Sequence, residues 1–200
     1  MSDDVPQPDQ IDGAPHPRDT PRLIAQEAAE QAFLTAVGSG RLHHGWMIAG
    51  PRGVGKATLA WRIARHLLAN PPGADDGGMF GAPPPPDTLD VAADHPVARR
   101  IAAGSEPGLF RLVRPWDDKA KRLRAEITIA EVRKLKSRFA LSAADGGWRV
   151  VIVDAADDMN PNAANALLKL LEEPLAARPC CWSPINPLPC CQPSGRAVVC

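Results

Sequence analysis

The stretch that most constrains this chain is Gly50-Pro51-Arg52-Gly53-Val54-Gly55-Lys56, followed by Ala57 and Thr58. Glycines so spaced let consecutive backbone N–H groups turn inward around an anion, and a lysine at the end reaches outer phosphates. Before it, Trp46-Met47-Ile48-Ala49 is a short apolar run with strand character. After it, Leu59, Ile63 and Leu67 recur every four residues and predict a helix from Thr58 to Leu68. Strand, glycine loop and helix N-terminus form the context in which such a motif is a phosphate-binding P-loop. The fold class expected is therefore α/β, a parallel sheet flanked by helices.

A second stretch completes the frame. Trp148 to Val153 is continuously apolar apart from Arg149, as in a strand buried on both faces of a parallel sheet, and Asp154 follows at its C-terminal end. In such folds ligands gather at those ends. The candidate nucleotide-binding residues are thus Gly50, Gly53, Val54, Gly55, Lys56, Ala57, Thr58 and Asp154. Two chemical groups are missing. The residue after the lysine normally carries a hydroxyl for Mg²⁺, but here it is Ala57. The position after Asp154, where an active ATPase of this type places a water-orienting glutamate, is Ala155. No catalytic residue is assigned.

The remaining segments fit around this pair. Residues 1–19, rich in Asp and Pro, carry no apolar period and read as a disordered leader. A helix is expected from Arg22 to Val37, with Leu23, Ala29, Phe33, Leu34 and Val37 on one face, closed by Gly38 and Gly40. His43 and His44 lack a third ligand at metal spacing, so a turn is the better reading. Residues 70–94 are Gly-, Pro- and Asp-rich, a loop insertion with no core of its own. His95 to Ile101 predicts a short helix and Leu109 to Val113 a strand. Thr128 and Glu131 resemble a capping box ahead of Ile129, Val132, Leu135 and Phe139. That helix also carries Arg133, Lys134, Lys136 and Arg138, a solvated face rather than a DNA contact in a chain with 23 basic and 23 acidic residues. Asn160 and Pro161 open a last helix, to Glu173, with Ala164, Leu167, Leu168 and Leu171 inward and Pro174 as its stop. No membrane-spanning run or signal peptide is recognised, and a cytoplasmic location is expected.

The most specific signature is Asp154-Ala155-Ala156-Asp157-Asp158-Met159 with Ala163-Ala164-Asn165-Ala166-Leu167-Leu168-Lys169-Leu170-Leu171-Glu172-Glu173-Pro174. With His43-His44-Gly45-Trp46, it resembles the delta-prime family of bacterial DNA polymerase III clamp-loader subunits, in the form found in alphaproteobacteria. The resemblance runs from about Leu23 to Pro174. It implies an AAA+ (RecA-like) P-loop domain, here partial and spanning residues 20–174, within a five-subunit ring that loads the sliding clamp on primed DNA. The implied partners are the ATPase subunits and delta, with clamp and DNA engaged through the complex and no membrane. It also implies a subunit that does not hydrolyse ATP, with ATP or ADP binding still open to the loop. Zinc is not expected, because residues 70–94 contain no cysteine for the module that many relatives carry there.

After Pro174 the pattern breaks. All five cysteines, Cys180, Cys181, Cys190, Cys191 and Cys200, fall in a Pro-rich tail without helical or strand period. Adjacent cysteines suit zinc poorly, and disulfides suit a cytosolic chain poorly. As a hypothesis, residues 175–200 are read out of frame. Back-translated one nucleotide earlier, Cys180-Cys181-Trp182-Ser183 allows Leu-Leu-Val after a Leu, and Pro184-Ile185-Asn186-Pro187 allows Ser-His-Gln-Pro. Cys190 to Val198 then allows Leu-Leu-Pro-Thr-Ile-Arg-Ser-Arg-Cys, the family's continuation. Loss of one C in a Pro-Pro codon run at Pro174 gives the shift. The tail is then expected to be unstructured, Arg196 does not inherit the family's arginine finger, and the strand implied between the P-loop strand and the Asp154 strand is expected to be lost. The competing readings are an active P-loop ATPase of another kind, using Asp157 or Asp158, and a non-functional fragment.

Overall fold

In the computed structural model, residues 7–8, 10, 13–20, 22–40, 42–71, 86–141, 147–172 and 179–185 are described. Residues 1–6, the polyproline part of the insertion and the tail from 186 onward, with Cys190, Cys191, Arg196 and Cys200, lie outside them.

The element order is α1 (Glu27–Gly38), β1 (Gly45–Ala49), α2 (Lys56–Ala69), α3 (Pro96–Ala102), β2 (Leu109–Val113), β3 (Trp116–Asp117), β4 (Arg122–Leu123), α4 (Ile129–Leu141), β5 (Arg149–Asp154), α5 (Pro161–Glu172) and β6 (Pro179–Ile185). Four strands form a parallel sheet in the order β1-β6-β5-β2, and β3 and β4 make a separate antiparallel pair. Side chains alternate across a strand, and β5 shows it plainly. Val150 and Ile152 enter one core with Phe33, Leu59, Trp61, Ile63 and Leu67, beneath α1, α2 and α3. Val151 and Val153 enter the other, with Phe110, Leu112, Val132, Leu135, Phe139 and Leu167, beneath α4 and α5. Helices thus cover both faces of a parallel sheet, as the sequence predicts.

Local chemistry sets the helix starts. The His95 ring accepts from the Val97 N–H ahead of α3 (3.2 Å), and Asn160 Oδ1 accepts from the Ala163 N–H at the start of α5 (2.9 Å). Both satisfy N–H groups that a helix cannot bond internally. At the other end of α4, buried Arg149 donates to the Phe139 carbonyl (3.0 Å), which ties β5 to that helix.

Three expectations are corrected. Helix α1 begins at Glu27, not Arg22: Ala25 takes a left-handed φ of 59°, which breaks the helical path, and Leu23 packs on the first core from outside the helix. The leader 1–19 is not structureless throughout. Pro17–Asp19 form a 3₁₀ turn, with His16 buried edge-on against the Trp61 ring, 5.6 Å between centroids. Composition hid this because one anchoring aromatic contact needs no apolar period. The described end of the insertion adds Leu89, 1% exposed, to the first core, in keeping with a segment that has no separate core among the described residues. On α5 the buried positions are Ala163, Leu167 and Leu170, turned by about one residue from the expected face.

The largest correction concerns the tail. Residues 179–185 occupy the place where a missing strand was expected. Gly45 to Ala49 pair with Cys181 to Ile185, and Arg149 to Ile152 pair with Pro179 to Trp182. The physical reason lies in the neighbours: two parallel strands one strand's width apart present unpaired ladder groups, each costing about 1–3 kcal/mol if buried unsatisfied. A segment of almost any side-chain composition can satisfy them through its backbone.

Candidate nucleotide site

The phosphate loop runs from the end of β1 into α2. Gly53 has φ 84° and Gly55, at the N-cap of α2, has φ 92°, a left-handed region that disfavours any side chain. A Cβ at Gly53 would meet nothing within 4 Å, so the loop is open there. At Gly55 a Cβ would lie 2.5 Å from Leu23 Cδ1. The segment before α1 therefore rests directly on the loop. The first turn of α2 contains no acidic residue, and its N–H groups and dipole favour an anion.

Lys56 Nζ donates to the Gly50 and Pro51 carbonyls, both at 2.9 Å. Burial pulls its pKa down, Asp157 and Asp154 oppose that shift, and Arg52 adds to it. The ammonium thus lies in the field of two acids brought by β5 and the turn after it. Asp154 closes β5, and the parallel sheet sets the C-terminal ends of β1 and β5 on the same edge, with β6 between. Neighbouring strands are about 4.8 Å apart, which puts β1 and β5 about 10 Å apart.

The predicted residues therefore divide. Gly50, Gly53, Val54, Gly55 and Lys56 form the loop, Ala57 and Thr58 lie in the first turn of α2, and Asp154 faces them across the sheet edge. Their fit to a nucleotide is partial. Glycines at positive φ, a helix N-terminus and an ammonium suit phosphates, whereas the Ala57 methyl offers no oxygen to Mg²⁺. Asp157 and Asp158 form a 3₁₀ turn with Ala156. Asp158 pairs with Arg114 Nε at 3.0 Å, and burial raises its pKa against that pairing. Its carbonyl also accepts from the Ile127 N–H at 2.7 Å, which anchors the turn to the segment before α4. Asp158 is thus held in place as a structural acid, while Asp157 is exposed and acts on Lys56 through its charge.

Leu23 and Asp157 are the residues sequence reasoning missed in these roles. Spacing alone puts Leu23 on a helix face. Nothing in the residue types marks the break at Ala25 that takes Leu23 out of the helix.

The chain matches the family described as "DNA polymerase III, delta subunit" over residues 25–178. It is 34% identical over 146 residues to DNA polymerase III subunit delta' of Pseudomonas aeruginosa, covering 72% of this chain and 38% of that protein. It is 28% identical over 158 residues to the gamma/tau subunit of Mycobacterium tuberculosis (76% and 23%), and 28% over 152 residues to the tau subunit of Escherichia coli (76% and 20%). The chain spans between about a fifth and two fifths of the length of these curated relatives.

Proposed function

The chain belongs to the DNA polymerase III delta-subunit family, and on that premise we propose that it serves DNA replication as a delta-prime-type clamp-loader subunit without ATP hydrolysis of its own. The observation that carries this is the split within one site. Gly53 and Gly55, both at positive φ, and Lys56 are the residue types a phosphate loop uses, while Ala57 and Ala155 stand where a metal hydroxyl and a water-orienting acid would be. ATP or ADP would be held through its phosphates by the loop N–H groups and Lys56, supplying no chemistry beyond occupancy. The partners are the ATPase subunits and delta of the loader, with sliding clamp and primed DNA reached through the assembly, in the cytoplasm. No zinc belongs to this reading.

Calorimetric titration with ADP and ATP, beside a steady-state ATPase assay, tests it. Nucleotide binding with no turnover is expected. Turnover that disappears in Lys56→Ala would overturn it in favour of an active ATPase.

A second reading concerns residues 175–200, which we propose are out of frame. It rests on Pro184, which lies in an interior strand opposite Ile48. Proline brings no N–H to a ladder and is confined elsewhere to edges and strand starts. Sequencing the gene across the Pro174 codon decides it: an intact Pro-Pro run that cannot accommodate a restoring base ends the idea.

A further inference from the structure

Away from the phosphate loop, a cavity of about 210 Å³ opens between the 3₁₀ turn at Pro17–Asp19, α2 and the segment leading into α3. Arg18, Asp19, Arg62, Arg65 and Asp90 line it, and Ala98 and Ala102, one turn apart on α3, leave it room. Arg65 lies nine residues beyond Lys56 on the same helix, about 13 Å along its axis at 1.5 Å per residue.

The charges here are unevenly matched. Arg62 takes two carboxylates, Glu30 at 2.8 Å and Asp90 at 2.9 Å. Arg18 Nε approaches Asp19 at 3.5 Å, and this buried Nε has no hydrogen-bond partner among the described residues. Arg65 makes no ion pair among the described residues, and its guanidinium donates to the Arg18 carbonyl. Burial and the neighbouring Arg62 pull its pKa down, with Asp19 opposing. A guanidinium has five N–H donors in a planar fork suited to oxyanions, and the donors of Arg65 outnumber the acceptors it meets. The pocket has guanidinium groups left to satisfy and the space for what would satisfy them.

We propose that this cavity is a second anion site, separate from the phosphate loop, which takes a small oxyanion on Arg65 and Arg18. Phosphate and carboxylate share the chemistry that such a fork recognises. Asp19 limits the affinity by competing for Arg18, and Asp90, already paired with Arg62, adds only its like charge at the rim. The site joins α2 to the leader, so an occupant would fasten the turn that carries His16 onto Trp61.

Titration calorimetry on the full chain tests this, with inorganic phosphate and acetate as separate probes. In Lys56→Ala, which cripples the phosphate loop, at least one probe is expected to bind still, and which one does so identifies the oxyanion. Adding Arg65→Gln should weaken that binding at least tenfold. Because Arg65→Gln also removes a contact to the leader, Asp19→Asn supplies a gain-of-binding arm, expected to tighten binding several-fold. The proposal is overturned if neither probe binds Lys56→Ala, or if the affinity there is unmoved by both Arg65→Gln and Asp19→Asn.

Discussion

Strands β5 and β6 lie side by side in one sheet and are held by the same ladder, yet they are different kinds of segment. In β5, Val150 to Val153 are β-branched, buried, and divided between two cores. Its place is set by side chains as much as by backbone. In β6 the sequence is Pro-Cys-Cys-Trp-Ser-Pro-Ile, with a proline at its start and another one residue from its end. Its place is set by the two neighbours that need a partner. The pairing with β5 ends at Trp182, and two more residues in register would bring Pro184 beside Asp154. The contrast separates two sources of strand structure, burial pattern and ladder demand, and shows that the second can act where the first is weak.

The comparison breaks most readily at β5. Val153→Asp places an unpaired charge at a position with 0% exposure. Such changes lie in the range above about 4 kcal/mol, comparable with a whole domain's stability, so loss of cooperative unfolding by circular dichroism is expected. Deleting residues 175–200 comes next. It removes β6, the one strand that pairs with β1 among the described residues, and should lower Tm and increase dye binding to exposed apolar surface. If Tm stays unchanged, β6 contributes nothing and the ladder argument fails. A smaller effect, of opposite sign, is expected from Pro184→Val, which restores an N–H and β propensity and should stabilise by about 1 kcal/mol in denaturant titration. No gain would mean that the ladder beside Ile48 has no use for a donor.

The mildest test concerns His66 on α2, the helix that packs on β5. It is 3% exposed, its Nδ1 has no hydrogen-bond partner among the described residues, and burial lowers its pKa below the ordinary 6.5. The folded state therefore binds fewer protons than the unfolded state in that window. Stability should rise with pH through it, and fall as pH drops below about 6.5 toward the lowered folded value. His66→Gln should flatten that slope in thermal melts; a slope that persists unchanged assigns it to another group.

What the sequence made legible follows the same division. The P-loop, β5, α2 and α5 are strongly periodic or carry a specific motif, and each was read with the right type and nearly the right ends. Leu109 to Val113 matched residue for residue. The misses lie where structure comes from contact rather than pattern. His16 and Leu23 are single anchors in polar, proline-bearing surroundings, and Leu89 is one apolar residue at the end of an insertion. β6 has no period at all, so its pairing could be seen only from the gap it fills. At the site, the residue types stated what was absent, but the field of Asp157 on Lys56 and the bond of Asp158 to Arg114 needed three dimensions.

Leu23 against Gly55 has a mechanical consequence. The segment before α1 is anchored at one end by His16 on Trp61 and at the other by a leucine pressed on the turning point of the phosphate loop. It works as a strap across α2, fastened at both ends of its span, so the loop cannot be pushed outward without displacing Leu23. Any bulk at residue 55 would unbuckle the strap, and the loosening would register at its far end, where His16 leaves the Trp61 ring and the emission of Trp61 changes.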